Sequence, residues 1–522
     1  MLIHQLLQDA RDSKSAIIFE GKPLSYAELD DLANQFAHLF GELQLDPGDR
    51  VSLLIGNEPL VVAAYFGMFK TGLIANPINN RLTAHEVTFV LDHSQARVLI
   101  TTPEYLALAQ EAIAGLTHQP RIILLGADAG VTLPVEVFSE LDLYRQKRTP
   151  RHVDDITGQT PILLIYTSGT TGRPKGVLLS HANVWADGLA LSQGFRMGPD
   201  HIALCFMPLF HCNALIVSHI SAFIGHGTIV LCRKFSAREH WRLVADHKVS
   251  SFSAPPTVLA ILLEREAEAR AAGIKLDFVK TGSAPLTVEL ATRFENRFGK
   301  DILIEGWGLT ECTATSTLNP LFAGGRRKVG SVGQALAGQE IAVMDEQGNI
   351  LPPENVGELV IRSPTMMLGY FRDEEATRKT IIDGWLHTGD LGRMDQEGYV
   401  FLVGRKKEII IRGGENVSPL EIEEVLCRHP SVRDVAVGGL PDRIWGEVVA
   451  ACVVPNGSAS EQDLIAYCRD QDLIAYCREN LADFKVPVKI AIVEELPRNA
   501  TGKILRRNLA QFFQPEAKEM AS

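Results

Sequence analysis

Short apolar runs alternate with amphipathic segments through much of the chain. Residues 51–55 are a short apolar run typical of a buried strand, and in residues 60–69 apolar positions recur at helical spacing before Gly72. The pattern also predicts strands at 202–206, 228–232, 278–280 and 302–304, and helices at 24–40, 237–249, 256–271 and 286–298. Helices between apolar strands indicate parallel sheets covered by helices, which is the α/β class.

The pattern changes after about Val329. Residues 341–345, 357–361 and 399–403 are short predicted strands separated by Gly, Pro and Asn, which favours a smaller antiparallel or barrel-like subdomain. The composition changes again at Arg405, where a Lys/Glu-rich turn and a Gly pair follow. We therefore expect an N-terminal domain at 1–404 and a C-terminal domain at 405–522.

Composition and charge argue against several classes of protein. The net charge of −12 argues against a nucleic-acid partner bound by a broad basic surface. The eight cysteines lack the Cys-x-x-Cys spacing of zinc sites. The N-terminus is too polar for a signal peptide, and no apolar run reaches the ~20 residues of a transmembrane segment. We expect a cytoplasmic protein with reduced thiols.

A loop rich in Gly, Ser and Thr is the most informative segment. Residues 166–176 read Tyr-Thr-Ser-Gly-Thr-Thr-Gly-Arg-Pro-Lys-Gly and follow an apolar run at 162–165. Glycines let several backbone N–H groups face one anion, and Lys175 adds a positive charge. The spacing is not that of a Walker loop. A polar surface loop is the alternative by composition alone, but the preceding strand and the following cations favour a phosphate site.

A tandem duplication interrupts the C-terminal part. Residues 462–470 are repeated almost perfectly as residues 471–479. Nine residues make about two and a half helical turns, so both copies cannot bury the same face on one side of a straight helix. We predict an irregular or poorly packed element here and assign it no function.

Six motifs in a fixed order resemble those of the adenylate-forming superfamily, which includes acyl-CoA synthetases, peptide-synthetase adenylation domains and luciferases. They lie at residues 166–176, 281–286, 305–311, 385–390, 404–414 and 497–503. Trp307 stands where the third motif usually has Tyr, and residues 305–312 are more similar to fatty acyl-CoA synthetases than to coumarate-type enzymes. The resemblance covers essentially the whole chain and places it in the acyl-CoA synthetase branch, similar to fatty-acid and 4-coumarate–CoA ligases.

This resemblance implies a fold and a chemistry. The fold has two parallel α/β sheet subdomains and a small β-barrel-like subdomain in the N-terminal domain, with a small, mobile α+β C-terminal domain. ATP, Mg²⁺ and CoA are the implied cofactors, and acyl-AMP forms before the thioester. The implied catalytic residues are Lys503, Glu311, Thr167 and His211. The implied ATP- and AMP-binding residues are Thr167, Ser168, Gly169, Thr170, Thr171, Gly172, Lys175, Gly282, Ser283, Ala284, Trp307, Gly308, Thr310, Asp390, Arg405 and Lys503.

General chemistry supports several of these roles. Glu311 and Thr167 supply the hard oxygen ligands that Mg²⁺ favours. Asp390 is a hydrogen-bond acceptor suited to a ribose diol, and Arg405 offers a planar donor fork. A cation such as Lys503 stabilises the negative charge that builds up at the α-phosphate. Without the surrounding motifs, each of these residues would be interpreted as an ordinary surface or core residue.

The acid and the acceptor thiol are less defined. The implied acyl pocket contains His211, Asn213, Gly282 and Trp307, and His211 stands where amino-acid-activating domains carry Asp. We therefore expect a fatty or related non-amino acid. Lys407 matches the hinge, and Gly413 and Gly414 match the loop at the CoA tunnel. Transfer to a carrier protein and an inactive nucleotide- or acyl-binding module remain as alternatives, and the chain is expected to be a monomer or homodimer.

Overall fold

A computed structural model describes most of the chain. The described residues are 1–10, 15–126, 136–167, 174–282, 286–320, 322, 325–456, 470–498 and 504–513. No helix among them is long and apolar enough to cross a membrane.

The largest sheet has nine strands in the described part of the chain. Its parallel strands are, in spatial order, Leu303–Trp307, Phe278–Thr281, Ser251–Ser253, Ile202–Cys205, Thr228–Leu231 and Ser15–Phe19. Antiparallel strands border them, with Thr317–Asn319 and Gln334–Ala335 at one edge and Lys22–Ser25 at the other. The predicted strands of this region are therefore found, with their ends shifted by a few residues.

A second sheet has eight strands among the described residues. Its parallel strands are Pro161–Thr167, Ile74–Pro77, Arg50–Leu54, Val98–Thr101, Arg121–Leu124 and Val137–Ser139. Lys175–Ser180 and Gly369–Tyr370 continue the sheet in antiparallel orientation beside Pro161–Thr167. One continuous apolar core packs against both large sheets. The prediction of two parallel α/β subdomains is confirmed.

Helices connect and cover these strands. They include Leu6–Asp9, Tyr26–Glu42, Pro59–Thr71, Ala84–Ser94, Leu106–Ala114, Glu140–Tyr144, His181–Gly194, Ser221–Ile224, Ala237–Asp246, Pro256–Glu264, Glu266–Ala271 and Val288–Phe298, with a π-helix at Asn213–Ile220. Capping boxes define the first residues of several helices. In the helix Tyr26–Glu42, for example, Ser25 and Glu28 satisfy N–H groups that have no partner within the helix.

One helix prediction was wrong. Residues 256–271 form two helices, because Arg265 leaves helical geometry at φ −108° and ψ 22°. After this break, Ala269 packs into the main core with 1% exposure. A periodic apolar pattern does not reveal a one-residue break of this kind.

Two smaller sheets follow. The first is antiparallel and contains Glu340–Met344, Gly357–Arg362, Ile381–Ile382, Trp385–Met394 and Val400–Arg405, with the helix Glu374–Thr380 beside it. The second contains Ile410–Arg412, Glu415–Val417, Val432–Asp442, Gly446–Pro455 and Lys489–Ile492, with the helices Pro419–Cys427 and Asp470–Asn480. The predicted change to antiparallel pairing and the small C-terminal α+β unit are confirmed.

The second copy of the duplication belongs to the helix Asp470–Asn480. Its Leu473 and Cys477 are fully buried in the core of the C-terminal unit. The first copy lies almost entirely outside the described residues, so the predicted irregularity there stays a prediction.

Candidate active site

A cleft of about 1750 Å³ lies where strands of both large sheets end. Thr167, Thr281 and Trp307 are the last residues of three of these strands, and all three line the cleft. In open α/β sheets, ligands bind outside the carboxyl ends of the strands, where loops can present polar groups. The C-terminal unit closes part of the cleft through Arg498 and Leu505.

One side of the cleft is framed by two paired residues. Thr167 and Lys175 lie opposite each other on antiparallel strands, and both line the cleft. The Lys175 ammonium lies 4.7 Å from the centre of the Tyr370 ring, and the Tyr370 hydroxyl donates a hydrogen bond of 2.9 Å to Glu311 Oε1. This chain of contacts holds a cation and a carboxylate at one end of the cleft.

Several of the sequence-predicted phosphate and adenine contacts cannot be located. Ser168, Gly169, Thr170, Thr171, Gly172, Ser283, Ala284 and Lys503 lie outside the described residues. Their assignments remain expectations from the motifs.

Glu311 lies in a single 3₁₀ turn, Thr310–Cys312, just after the strand that ends at Trp307. Its backbone carbonyl accepts a hydrogen bond of 2.8 Å from the Met367 N–H, which fixes the turn against a distant segment. No group of three or more His, Cys, Asp or Glu side chains with metal-binding geometry exists among the described residues. Mg²⁺ typically uses one or two carboxylates together with phosphate oxygens and water. Glu311 and the Thr167 hydroxyl therefore fit a magnesium ion that arrives with a nucleotide.

Trp307, Asp390 and Arg405 form a polar contact at the cleft wall. Trp307 Nε1 donates to Asp390 Oδ2 at 2.9 Å, and Arg405 Nε lies 2.8 Å from Asp390 Oδ1. Asp390 is only 5% exposed and is not among the lining residues, whereas Trp307 and Arg405 are. Asp390 thus orients the indole and the guanidinium at the cleft wall.

Glu358 supports the turn that leads to Asp390. Its carboxylate accepts from the Gly389 N–H at 3.0 Å and lies 3.2 Å from His387 Nδ1. The Lys406 ammonium is 3.8 Å from the same carboxylate. The turn therefore has a fixed conformation before any ligand binds.

The opposite end of the cleft begins at His211 and Asn213. The Asn213 N–H donates to His211 Nδ1 at 3.2 Å, so the proton of the neutral imidazole is on Nε2. Burial lowers the pKa of His211, which favours this neutral form. The π-helix Asn213–Ile220 starts here, and such helices are frequent at functional sites.

Unsatisfied polar atoms mark this end. Asn213 Oδ1 and Thr281 Oγ1 are buried, line the cleft and have no hydrogen-bond partner among the described residues. A buried polar atom without a partner costs free energy, roughly 1–3 kcal/mol, unless a ligand or water satisfies it. These atoms indicate a binding surface for a partly polar molecule.

Two glycines shape the wall between the two ends. A Cβ on Gly282 would lie 2.8 Å from the Gly306 carbonyl oxygen, and one on Gly308 would lie 2.1 Å from the Ala314 carbonyl oxygen. Both contacts are too short for a side chain. Glycine at these positions therefore allows two pairs of backbone segments to approach closely in the wall beside Trp307.

The predicted hinge residue lines the cleft, whereas the two predicted CoA-tunnel glycines do not. Lys407 lines the cleft, directly after the strand that ends at Arg405. Gly413 and Gly414 form the turn between two C-terminal strands at φ +62° and +91°, and they do not line the cleft. In the described arrangement this turn lies beside Trp445, whose carbonyl accepts from the Gly413 N–H at 2.8 Å.

Sequence reasoning missed Tyr370 and Lys280, both of which line the cleft. Tyr370 lies in an ordinary Gly-Tyr pair, and no spacing rule distinguishes it. Lys280 could have been noticed in the sequence, because it is a charged residue inside a short apolar strand and lysines are seldom buried.

Comparisons with known proteins decide the family. The model of the AMP-binding enzyme family matches residues 7–371, and that of the AMP-binding enzyme C-terminal domain matches residues 421–503. The chain belongs to the AMP-binding enzymes.

Relatives of this AMP-binding enzyme support the reaction class. An oxalate–CoA ligase from Arabidopsis thaliana is 35% identical, with 96% of each chain covered. A sulfoacetate–CoA ligase from Cupriavidus necator is 35% identical, covering 94% of this chain and 92% of that protein. The ATP-bound MatB structure from Rhodopseudomonas palustris is 27% identical, with a TM-score of 0.85 and 98% of both chains covered. The predicted adenylate-forming superfamily and acid–CoA ligase class are confirmed, as is the use of ATP, Mg²⁺ and CoA.

Proposed function

We propose that this AMP-binding enzyme activates a non-amino carboxylic acid as acyl-AMP, releases pyrophosphate, and transfers the acyl group to the thiol of CoA. One observation carries the proposal. A single cleft joins an end with fixed charged groups, including Glu311 and Lys175, to an end with a neutral imidazole and unsatisfied polar atoms. The first end suits a nucleotide and the second suits an acid.

At the nucleotide end, we assign the residues by their position and chemistry. Thr167, Lys175 and the loop from Ser168 to Gly172 bind the β- and γ-phosphates. Glu311 and Thr167 hold Mg²⁺, which offsets phosphate charge when bound. Trp307 with Gly282, Ser283, Ala284, Gly308 and Thr310 surrounds the adenine, and Asp390 with Arg405 binds the ribose. Lys503 approaches the carboxylate and the α-phosphate during the first step, where a cation stabilises the developing charge.

The acid is inferred from the other end. A neutral His211 leaves no carboxylate at that position to pair with an α-ammonium group, which supports a non-amino acid. The acids of the two curated relatives, oxalate and sulfoacetate, are short and carry a second anionic group. A fatty acid is therefore one member of a wider range of candidates.

We also propose that the chain divides at 1–404 and 405–522, with Lys407 at the hinge. The C-terminal unit has its own core, which includes Val437, Val453 and Leu473. A separate core is what a unit needs to move as one body between two half-reactions. Such a movement would bring Gly413 and Gly414 from their present place to the thiol.

Pyrophosphate release with a panel of carboxylic acids tests the proposal. We expect release that requires both the acid and Mg²⁺, followed by thioester formation with free CoA. Glu311→Gln should reduce activity by a similar factor with every acid, whereas the exposed Glu289→Gln serves as a matched control.

Three outcomes would contradict the proposal. These are release with amino acids alone, transfer only to a carrier protein, or nucleotide binding without any release. The last would identify an inactive binding module.

A further inference from the structure

A lysine lies inside the cleft at the end where the acid is proposed to bind. Lys280 is on the strand Phe278–Thr281 of the largest sheet, is 5% exposed and lines the cleft. It precedes Gly282 by two residues, which is roughly 7 Å along a strand. Its ammonium donates to the Val217 carbonyl at 2.6 Å, and Val217 follows Asn213 by about one helical turn. The cation therefore lies beside residues of the acyl end.

The Lys280 ammonium has little charge compensation. It has three N–H donors, and the Val217 carbonyl takes one of them. Asp187 acts on it electrostatically, but no ion pair joins the two side chains in the described part of the chain. Asp187 Oδ1 accepts from the Thr315 N–H at 3.1 Å, and its Oδ2 has no partner among the described residues.

Burial favours the neutral form of both groups. It lowers the pKa of Lys280 to about 8 and raises the pKa of Asp187 to about 8. Cys205 and His201 also face this region, and burial raises the pKa of the Cys205 thiol to about 12 and lowers that of His201 to about 4. Burial thus disfavours the charged form of Lys280, and an anion bound beside it would favour that form. The cost of burying this cation falls when an anion binds beside it.

We infer that Lys280 binds a second anionic group of the carboxylic acid, such as a carboxylate or sulfonate, at the end remote from the reacting carboxylate. The inference rests on the proposed function and names its substrate class. Lys280 lines the same cleft as Gly282 and Asn213, so the second anionic group would lie within the acyl end, which favours a short diacid over a long alkyl chain. The free donors of the ammonium would bind the second group, while Val217 keeps the side chain in place.

Matched pairs of acids with equal carbon number test the inference directly. Glutarate is compared with pentanoate and adipate with hexanoate, and kcat/KM for pyrophosphate release is measured for each. We expect the better diacid to exceed its monoacid by at least ~10-fold, because hydrogen bonds to a charged group discriminate strongly between ligands. A wild-type preference for the monoacid in both pairs would overturn the inference without any variant.

Lys280→Met removes the charge at similar volume. We expect it to reduce or reverse the diacid preference mainly through KM, with a melting temperature equal to or above that of the wild type. Lys300→Met, which removes an exposed lysine, is the control and should leave the ratio unchanged. An unchanged ratio in an active Lys280→Met protein would show that Lys280 only supports the Val217 carbonyl.

A binding measurement separates this inference from the proposed function. The melting temperature is measured with each acid in the presence of AMP, which requires no turnover. Stabilisation by diacids alone, lost in Lys280→Met, would support the inference even in a chain that releases no pyrophosphate. Release of pyrophosphate with monoacids only would retain the proposed function and reject this inference.

Discussion

The two ends of the cleft are built differently. At the nucleotide end, charged groups are paired through short contacts, as in Trp307–Asp390–Arg405 and Tyr370–Glu311. At the proposed acyl end, Asn213 and Thr281 have polar atoms without a hydrogen-bond partner among the described residues, and the buried Lys280 lacks an ion pair there. A site for a common ligand can be fixed in advance, whereas the polar atoms proposed to bind the acid would gain partners only when the acid binds.

The largest expected effect concerns Lys503. Lys503→Ala should reduce acyl-AMP formation by at least ~10²-fold, because loss of a group that stabilises transition-state charge has about this cost. Thioester formation from supplied acyl-AMP should be spared. The two half-reactions are measured separately, with the exposed Lys489→Ala as control. Equal losses in both half-reactions would refute a role restricted to the first.

A smaller effect is expected at Asp390. Asp390→Asn weakens the contacts that orient Trp307 and Arg405, so the KM for ATP should rise roughly tenfold, as expected when a charge-assisted hydrogen bond is weakened. The KM for the acid should change little, because Asp390 is at the nucleotide end. Steady-state kinetics with each substrate varied in turn tests this. A change confined to the acid would remove the distinction between the two ends.

Acid pH should reduce the contribution of the buried His219 to the free energy of unfolding. Burial lowers the pKa of His219 to about 4, so below about 6.5 the unfolded chain binds a proton that the folded chain does not. The contribution of neutral His219 is thus present above pH 6.5 and is lost as the pH falls towards 4, by up to about 1.4 kcal/mol per pH unit.

His219→Phe removes this titration. The difference in the free energy of unfolding between wild type and variant should therefore decrease as the pH falls, as measured by denaturant unfolding at several pH values. The exposed His85→Phe serves as control. A difference that stays constant from pH 7 to pH 4.5 would show that the pKa of His219 is the same in the folded and unfolded chains.

The smallest effect is expected far from both ends. Deleting residues 462–470 should leave the melting temperature unchanged or higher, because the second copy already supplies the buried Leu473 and Cys477. Leu473→Ala in the full chain should lower it, since such a truncation costs about 2–5 kcal/mol. A large loss on deletion would show that the first copy contributes to the core.

The sequence predicted the fold, and the described residues of its motifs, such as Thr167, Trp307 and Glu311, line one cleft. The roles assigned to them stay predictions. Alternating strands and helices follow from local periodicity, and motifs such as the one containing Glu311 can be recognised from order and spacing. Tyr370 could not be found in this way, because its contact with Glu311 spans 59 positions and depends on how distant strands are arranged. The break at Arg265 and the partnerless atoms of Asn213 likewise depend on packing.

The central claim is that the nucleotide end sets the rate while the acyl end sets the choice of acid. The most direct test measures kcat/KM for the two best acids of the panel that differ at their far ends, in wild type, Glu311→Gln and Lys280→Met. We predict that Glu311→Gln lowers both values by a similar factor, roughly 10–100-fold, and leaves their ratio within about twofold, whereas Lys280→Met changes the ratio by at least ~10-fold. A ratio that shifts in Glu311→Gln but not in Lys280→Met would contradict the account.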